Sequence, residues 1–371
     1  AMQFTIEKAE ILNVLQKIQG LTGRSTSLDI TRNVLITAGA DKITMAATDL
    51  ETGFEGIYSA TVASEGVIAI NARKLFEIVR DFPDEAIHMT ELENRWIEIG
   101  NETVQYHIVC ADSADFPESP RFEDVTFLEI NSEALRKMIE RTLMISGDPN
   151  DSRAHINSVL FEKISGEGKV LVRMVSTDGS RLSLTEAPLE QSEIVAESVL
   201  IPKKELNEVV KFLSSEGTVK IGIKDNHFIT RKNSEIISVR LAEGQFPDYK
   251  TILEREGDNL LKADRQSMLM MLKRMSILST EDYKGAIFSF SDNKLKVTTT
   301  NPEIGESKED LVVEFESEPM EISFNPKYFV ESLNEIEDEK VIARITDYEK
   351  PCLLEGENDK TFLSAIMPMR T

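Results

Sequence analysis

Residues 170–182 read VLVRMVSTDGSRL, an apolar run that ends in the turn-like tripeptide Thr177-Asp178-Gly179. The same arrangement occurs at two other places, where Thr48-Asp49-Leu50 and Thr300-Asn301-Pro302 also follow apolar runs. The threonines lie 129 and 123 residues apart, from position 48 to 177 and from 177 to 300. This spacing is that of whole domains, because solenoid repeats have periods of roughly 20–50 residues.

Two further markers recur in step with the first. Segments at residues 71–75, 201–206 and 325–329 each open an amphipathic helix. An apolar helix is predicted to start near Phe4, Phe127 and Asn259. Three markers with one period predict three copies of one domain in the 371-residue chain. Such a chain favours a shape-defining protein over one built around a single catalytic pocket.

The composition is that of a globular protein, with 41% hydrophobic and 29% charged residues. No apolar run approaches the roughly 18 residues of a membrane span, and the N-terminal segment lacks a secretory pattern. The two cysteines, Cys110 and Cys352, lie in different copies. We therefore expect a cytoplasmic protein that has free thiols and does not bind a membrane.

The net charge of −23 argues against tight binding to nucleic acid. Predicted helices at residues 4–24, 71–83, 131–146 and 201–213 nevertheless carry +1 each, and the helix at 260–278 carries +3. Only the sixth, at 325–340, is acidic, with two lysines against five acidic residues. These weakly basic helices either face DNA or simply place good helix formers on solvated faces.

Each copy is predicted to run helix, several strands, helix, several strands. Strands at hairpin spacing, without strict alternation with helices, indicate the α+β class. We predict three tandem copies of a two-helix, antiparallel-sheet domain at residues 1–125, 126–254 and 255–371. The pairs Phe116-Pro117 and Phe246-Pro247 end the first two copies alike.

The ordered markers, TDGSRL at residues 177–182, FPDY at 246–249 and MPMR at 367–370, together resemble the bacterial DNA polymerase III β subunit, the replicative sliding clamp. The resemblance extends from residue 2 to residue 371. It implies the DNA clamp fold and a head-to-tail homodimer closed into a ring of six similar domains. It also implies a processivity factor without metal or cofactor. Such a ring encircles double-stranded DNA irrespective of sequence and tethers the replicative polymerase, with a clamp loader and other clamp-binding-motif proteins as further partners.

The family binds short peptides of its partners in a hydrophobic groove between the second and third copies. By resemblance, the groove comprises Ile156, Thr177, Gly179, Ser180, Arg181, Leu182, Pro247, Thr251, Ile252, Ile366, Met367, Pro368, Met369 and Arg370. Leu182, Ile252 and the methionines offer apolar walls, and methionine adapts to varied ligands. Arg181 and Arg370 are expected to orient the peptide, and Ser180 stands where relatives commonly have histidine. From the residues alone, the apolar C-terminal segment could instead merely complete a sheet.

The resemblance also implies positions that face DNA. They are Arg24, Arg73, Arg80, Arg136, Lys137, Arg141, Asn150, Arg153, Lys203, Lys204, Arg265, Lys273 and Arg274. For each cation, a purely solvated role is the alternative.

The expected dimer interface joins the strand at residues 103–110 of one subunit to the strand near residues 303–311 of the other. Its predicted contacts are Lys74, Ile108, Ile277, Leu278, Glu303 and Glu306. Lys74 is expected to face one of the two glutamates across the interface.

An enzyme finds little support in the sequence. The four histidines have no metal-ligand spacing. The segment GEGK at residues 166–169 lacks the first glycine and the final hydroxyl residue of a phosphate loop. Asp49 and Asp178 are expected to shape turns. The remaining alternative is a triplicated α+β scaffold or enzyme that does not bind DNA.

Overall fold

The apolar run before each Thr-Asp or Thr-Asn turn forms a β-strand in the computed structural model, which describes residues 1–191, 193–254 and 259–370. These strands are Lys42–Thr48, Lys169–Thr177 and Lys294–Asn301. Each pairs antiparallel with the strand that follows its turn. The central marker of the sequence is therefore a hairpin, repeated three times.

The helices in chain order are α1 (Lys8–Thr22), α2 (Ala72–Arg80), α3 (Ser132–Leu143), α4 (Ala154–Asn157), α5 (Lys203–Val209), α6 (Lys250–Leu253), α7 (Arg265–Met275) and α8 (Pro326–Asn334). The first strands are β1 (Gln3–Glu7), β2 (Asn33–Gly39), β3 (Lys42–Thr48), β4 (Thr52–Ser59), β5 (Thr61–Ser64), β6 (Gly66–Asn71), β7 (Ala86–Glu91), β8 (Trp96–Gly100), β9 (Gln105–Val109) and β10 (Leu128–Asn131). The middle strands are β11 (Ser158–Gly166), β12 (Lys169–Thr177), β13 (Arg181–Pro188), β14 (Glu197–Pro202), β15 (Thr218–Lys224), β16 (His227–Lys232) and β17 (Glu235–Arg240). The last strands are β18 (Asn259–Asp264), β19 (Ala286–Ser291), β20 (Lys294–Asn301), β21 (Gly305–Val312), β22 (Met320–Phe324), β23 (Lys340–Ile345), β24 (Cys352–Gly356) and β25 (Phe362–Ile366).

The chain divides into two compact units. Unit 1 comprises residues 1–133 and 205–241. It contains one sheet in the order β5-β1-β7-β8-β9 and another in the order β10-β15-β16-β17-β4-β3-β2-β6. The second sheet joins strands of the first copy to strands of the second through the antiparallel pair β4 and β17.

Unit 2 comprises residues 134–204 and 242 onward. Its larger sheet runs β14-β11-β12-β13-β25-β24-β23-β18, and its smaller sheet runs β21-β20-β19-β22. Here the antiparallel pair β13 and β25 joins the second copy to the third. Joining copies edge to edge covers strand edges that would otherwise be exposed. The architecture is three tandem antiparallel-sheet domains with helices, as the sequence predicted.

The second helix of each outer copy begins at an asparagine, as the recurring marker suggested. The side chain of Asn71 accepts the Lys74 N–H at 2.9 Å, and that of Asn325 accepts the Lys327 N–H at 3.1 Å. These caps satisfy backbone donors that the first turn of a helix leaves unpaired. Helix α2 then buries Leu75 and Val79 and exposes Arg73, Lys74 and Arg80.

Three details of the sequence prediction are corrected. The predicted apolar helices near Phe4, Phe127 and Asn259 begin with strands instead, because β1, β10 and β18 precede α1, α3 and α7. The single strand expected at residues 53–62 is two, since the chain breaks at Ala60 between β4 and β5. The helix predicted over 201–213 is α5 followed by a short 3-10 turn at Val210–Phe212. The predicted start of the third domain, residue 255, lies outside the described residues.

Both cysteines are buried free thiols, as expected for a chain without a disulfide framework. In the described ranges, no helix combines the length and apolar composition needed to cross a membrane.

Candidate functional site

The Thr177-Asp178-Gly179 turn is held by side-chain hydrogen bonds. The Thr177 hydroxyl donates to the Arg181 carbonyl at 2.7 Å and accepts the Gly179 N–H at 3.1 Å. Asp178 Oδ1 accepts the N–H groups of Ser180 and Arg181 at 2.9 and 3.1 Å. Gly179 has φ +92°, a region that glycine adopts without a steric penalty. The turn fixes the start of β13 and leaves Gly179 and Ser180 exposed beside the C-terminal tail.

The C-terminal tail is attached at two points. Strand β25 pairs with β13, with Ile366 opposite Arg181, and the Met367 N–H donates to the Ser180 carbonyl at 2.9 Å. Further along, the Met369 N–H donates to the Ser323 carbonyl on β22 at 2.8 Å. The side chain of Met367 is exposed although its N–H is bonded, and Arg370 is exposed beyond the second attachment point. The apolar C-terminal strand therefore completes a sheet and also presents a surface.

The predicted groove residues divide into a buried support and an accessible rim. Leu182 belongs to an apolar cluster with Leu160, Val175 and Tyr249, and Ile252 packs against that cluster. Ile156, Leu182 and Ile366 are buried, so that they support the groove from behind. Its accessible members are Thr177, Gly179, Ser180, Pro247, Thr251, Ile252, Met367, Pro368, Met369 and Arg370.

Arg181 is committed to contacts within the protein. Its guanidinium donates to Asp178 Oδ2 at 3.2 Å, forms a close ion pair with Glu331 and lies 4.2 Å from the centre of the Tyr328 ring. The side chain is buried. The expectation that Arg181 orients a peptide is corrected: its role here is to attach β13 to α8, and Arg370 remains the accessible arginine of the groove.

A cavity of about 940 Å³ lies next to the tail in unit 2. Its walls are Ile287, Glu321, Ile322, Ser323, Tyr348, Glu349, Met367, Pro368, Met369 and Arg370. Only the tail residues among these are predicted from the sequence. The others lie on β19, on β22 and in the segment between β23 and β24, and no motif marks them, because only folding brings them to the tail.

Most predicted DNA-facing side chains are accessible. Arg73, Arg80, Asn150, Arg153, Lys204, Lys273 and Arg274 are exposed, and Arg136, Lys137 and Arg265 are partly exposed. Many are partnered by carboxylates, as in the pairs Arg73–Glu77 at 3.2 Å and Arg136–Glu140 at 3.1 Å. Such exposed pairs exchange readily with solvent and ions, so that these cations stay available to a polyanion.

Arg24 is removed from the predicted DNA set because it belongs to an internal network. Its guanidinium contacts Glu205 at 2.9 Å and Glu208 at 3.2 Å and forms a close pair with Asp49. All three carboxylates are buried. Burial raises the pKa of Glu205, and the bonds from Thr52 and Arg24 oppose that rise. This arginine joins the end of α1 to α5 within unit 1.

Arg141 and Lys203 are removed for the same reason. Arg141 is buried, donates to the Glu335 carbonyl at 3.3 Å, pairs with Asp359 at 3.3 Å and lies 4.9 Å from the centre of the Phe362 ring. Lys203 is buried, and desolvation lowers its pKa to about 8. Both side chains are therefore engaged inside unit 2, Arg141 with Glu335 and Asp359 and Lys203 with the Thr177 carbonyl.

The two strands expected at the dimer interface are both sheet edges. Strand β9 ends the five-stranded sheet of unit 1, and β21 ends the four-stranded sheet of unit 2. Apolar residues are exposed at both edges, with Val109 at 60% and Ile304 at 58% of full accessibility. Neither is among the predicted contacts. Of those, Ile277, Lys74, Glu303 and Glu306 are exposed, and Ile108 and Leu278 are partly buried. Exposed apolar edges of this kind mark sites of association.

Among the described residues, no group of three or more histidine, cysteine, aspartate or glutamate side chains is arranged to hold a metal ion. The Asp49 and Asp178 carboxylates accept backbone N–H groups of their own turns.

Comparisons with known proteins identify the family. Three family models of the DNA polymerase III beta subunit match consecutive parts of the chain. The model of the N-terminal domain matches residues 2–120, that of the central domain residues 129–248 and that of the C-terminal domain residues 250–370. The chain is 31% identical over 373 residues to the beta sliding clamp of Vibrio cholerae and 30% identical over 371 residues to that of Escherichia coli K12, covering 100% of each chain. The crystal structure of the DNA polymerase III subunit beta from Pseudomonas aeruginosa superposes with a TM-score of 0.92 at 29% identity, again over 100% of both chains. The chain therefore belongs to the DNA polymerase III β subunit family, the beta sliding clamps, which are accessory processivity factors and not the catalytic subunit.

Proposed function

We propose that this chain forms a homodimeric ring that encircles duplex DNA in the bacterial cytoplasm, at the nucleoid, and tethers the replicative polymerase. A clamp loader opens the ring, and other proteins with a clamp-binding motif share its groove. The observation that carries the proposal is that β9 and β21 are unpaired edges among the described strands, whereas their equivalents in the other copies are paired.

Internal repetition supports the pairing of two chains. The strand after the turn is β4 in the first copy, β13 in the second and β21 in the third. In unit 1, β4 pairs with β17, the last strand of the second copy; in unit 2, β13 pairs with β25, the last strand of the third. The last strand of the first copy is β9. A second copy of the chain supplies β9 to β21, so that two chains close head to tail.

The same equivalence predicts the register across the interface. Thr52 lies opposite Val239 in unit 1, and Arg181 lies opposite Ile366 in unit 2. The third turn is one residue longer than the other two, since Thr300 pairs with Glu306 whereas Thr48 pairs with Gly53, so that Gly305 corresponds to Thr52 and Arg181. The N–H groups of Leu241 and Cys110 both donate towards the preceding strand, to the carbonyls of Asn226 and Arg95 at 2.9 and 2.8 Å, so that Ile108, two residues before Cys110, corresponds to Val239. Gly305 opposite Ile108 brings the neighbouring residues Ile304 and Val109 opposite each other. We place Ile304 opposite Val109, which buries two exposed apolar side chains at once.

Retention by enclosure reconciles DNA binding with the net charge of −23. A closed ring needs no tight phosphate contacts, and strong ones would make its binding steeply dependent on salt. We assign the DNA-facing role to the accessible cations and to Asn150, and not to Arg24, Arg141 or Lys203. The carboxylate partners of the accessible cations keep the contacts with DNA weak, which suits a ring that must slide.

We assign the partner-peptide site to the accessible rim of the groove in unit 2. Ser180, Ile252 and the tail methionines surround an apolar support, and Arg370 is available at the end of the tail. An apolar site with a few polar groups fits a short extended peptide that has apolar anchors.

The decisive experiment distinguishes enclosure from adhesion. The protein, loaded by its clamp loader with ATP onto nicked circular DNA, should stay bound through gel filtration at about 0.15 M salt. Cutting the circle once should release it within minutes, because a ring slides off an end. An uncut circle is the control. Retention that survives linearisation, or a monomeric mass by light scattering at micromolar concentration, would contradict the proposal.

A further inference from the structure

A second groove, built on the same plan, exists in unit 1. Its turn repeats the hydrogen bonds of the turn at residues 177–181. The Thr48 hydroxyl donates to the Thr52 carbonyl at 3.0 Å and accepts the Leu50 N–H at 2.9 Å. Asp49 Oδ1 accepts the N–H groups of Glu51 and Thr52 at 2.9 and 2.6 Å. Leu50 has φ +77°, matching Gly179 although leucine rarely adopts this region, so that the surrounding structure must enforce the turn.

The end of β17 in unit 1 corresponds to the start of the C-terminal tail in unit 2. The Arg240 N–H donates to the Glu51 carbonyl at 2.9 Å, as the Met367 N–H donates to the Ser180 carbonyl at 2.9 Å. The pair Phe116-Pro117 lies beside the turn at residues 48–52, and Phe246 of the corresponding pair packs against the cluster that contains Leu182. A cavity of about 200 Å³ lies between these elements, with Ala47, Leu50, Phe116 and Pro120 among its apolar walls. The backbone scaffold of the peptide groove is therefore present twice in the chain.

Three of the side-chain differences between the two grooves bear on peptide binding. Where unit 2 has Ser180 and Met367, unit 1 has Glu51 and Arg240. Where unit 2 has Leu182, unit 1 has Gly53. Arg240 Nε lies 3.9 Å from Glu51 Oε2, and both side chains are more than half exposed. An apolar peptide side chain entering this cavity would have to desolvate both charges and would find less apolar wall.

We propose that the cavity in unit 1 is a latent peptide groove, and that Glu51 and Arg240 are the specificity residues that restrict partner peptides to unit 2. This inference rests on the proposed peptide-binding function of the unit 2 groove. It predicts one peptide per wild-type chain. It also predicts that the charges of Glu51 and Arg240, and not a different backbone, prevent a peptide from binding in unit 1.

The test is isothermal titration calorimetry, in which the full-length protein is titrated with a synthetic peptide of the polymerase's clamp-binding segment. Wild-type protein should bind one peptide per chain. The double variant Glu51→Ser, Arg240→Met should bind two, the second about tenfold more weakly because Gly53 provides no leucine wall. A benzophenone-labelled peptide should then crosslink near residues 47–53 and 116–120 as well as to unit 2.

The matched control is Glu65→Ser, Lys220→Met, which removes one charge of each sign from exposed positions of unit 1 outside the cavity. It should still bind one peptide. Arg240→Met alone, which keeps Glu51, should give weak crosslinking in unit 1. One peptide per chain in the folded double variant, without crosslinks in unit 1, would overturn the inference while leaving the unit 2 groove intact. No binding to wild-type protein would instead overturn the proposed groove itself.

Discussion

Lys203 and Lys204 are adjacent in the chain and have opposite environments, since Lys203 is buried and Lys204 is exposed. Arg141 and Lys137 show the same contrast on α3, where one side chain is buried and the other is partly exposed. A helix turns about 100° per residue, so that Lys203 and Lys204 face different surroundings. Lys137 and Arg141 lie one turn apart on the same face of α3, and they differ because Arg141 packs against Glu335 and Asp359. The charge of a residue therefore does not determine its role: buried cations attach elements to each other, and accessible cations can meet DNA.

Replacing Lys203 by methionine should stabilise the protein in a pH-dependent way. Desolvation lowers the pKa of Lys203 from 10.5 to about 8, so that its charge costs the folded state roughly 2–3 kcal/mol below pH 8. We expect Lys203→Met to raise the free energy of unfolding by about 1–2 kcal/mol at pH 7. Because the folded-state pKa is the lower one, this cost disappears as pH rises towards 10.5.

Urea unfolding of the wild type and the variant at pH 7 and 9.5 measures the effect. The difference should fall by more than half at the higher pH. Lys204→Met, at the exposed neighbour, should change stability little at either pH. A pH-independent difference for Lys203→Met would show that packing and not charge decides it.

Replacing Arg24 should destabilise unit 1. Arg24→Met leaves Asp49, Glu205 and Glu208 buried without their guanidinium partner, a loss of about 3 kcal/mol or more. The loss should shrink towards pH 4, because burial raises the pKa of Glu205 and its protonation removes one of the unpaired buried charges. Thermal unfolding at pH 7.5 and 4.5 tests this, with the exposed Arg73→Met as the matched control. Equal melting temperatures for the two variants at pH 7.5 would contradict it.

At the scale of elements, the edge strands decide how the protein associates. Along β21 the residues alternate between partly buried and exposed positions, as expected for a strand with one solvent face. Its inner side pairs with β20, and no described strand covers its outer side. The same holds for β9 beyond β8. These two elements carry the proposed interface, and the tail after β25 carries the proposed groove.

A cysteine pair at residues 109 and 304 should lock the proposed interface. Val109→Cys with Ile304→Cys, placed opposite each other in the predicted register, should form a covalent dimer on mild oxidation. The native Cys110 should not compete, because burial raises its pKa to about 11. Non-reducing gels report the product.

The control pair is Val109→Cys with Lys308→Cys, four residues or about 13 Å out of register. It should crosslink poorly. Equal crosslinking of both pairs would contradict the register, and failure of both would count against pairing of β9 with β21.

Deleting residues 367–371 should abolish binding of the partner peptide. The deletion removes Met367, Met369 and Arg370 from the groove but leaves β25 and its pairing with β13 in place. Fluorescence anisotropy should show at least a hundredfold weaker binding, since two apolar anchors are lost together. Light scattering should show an unchanged dimer. Lys294→Ala, an exposed change on β20, is the control, and unaltered affinity after the deletion would remove the groove assignment.

At the scale of the whole molecule, the balance of charge sets how the protein meets DNA. The chain is strongly acidic, with 42 basic against 65 acidic side chains. Acidic character disfavours adhesion to DNA from outside, and accessible cations limited to certain helices allow weak contact. An enclosing ring needs only such weak contact.

Reversing three accessible helix cations should reduce the salt dependence of DNA binding. For Arg73→Glu, Lys204→Glu, Lys273→Glu, the slope of log affinity against log salt, measured with a 30-base-pair duplex, should become shallower by up to about 2.7. The matched control reverses three exposed strand lysines, Lys42→Glu, Lys169→Glu and Lys294→Glu. The same loss in both variants would indicate only a net-charge effect and no DNA-facing set.

Sequence patterns alone predict the triplication, a turn after each apolar run, helices that open near Asn71 and Asn325, and the antiparallel α+β class. These features follow from local rules, because hydrophobic period, turn chemistry and capping act over a few residues. The order of the repeated features along the chain then indicates the family, and the family resemblance indicates the tail residues of the groove.

Packing in three dimensions determines which cations are buried, which of the described strands remain edges and which residues of β19 and β22 reach the tail. Arg24 meets Glu205 and Glu208 across about 180 positions of sequence, and Arg181 meets Glu331 in the same way. Such contacts depend on how elements pack, and no local pattern records them. For the same reason no local pattern marks the cavity in unit 1, whose walls come from the turn at residues 48–52, from residues 116–120 and from β17.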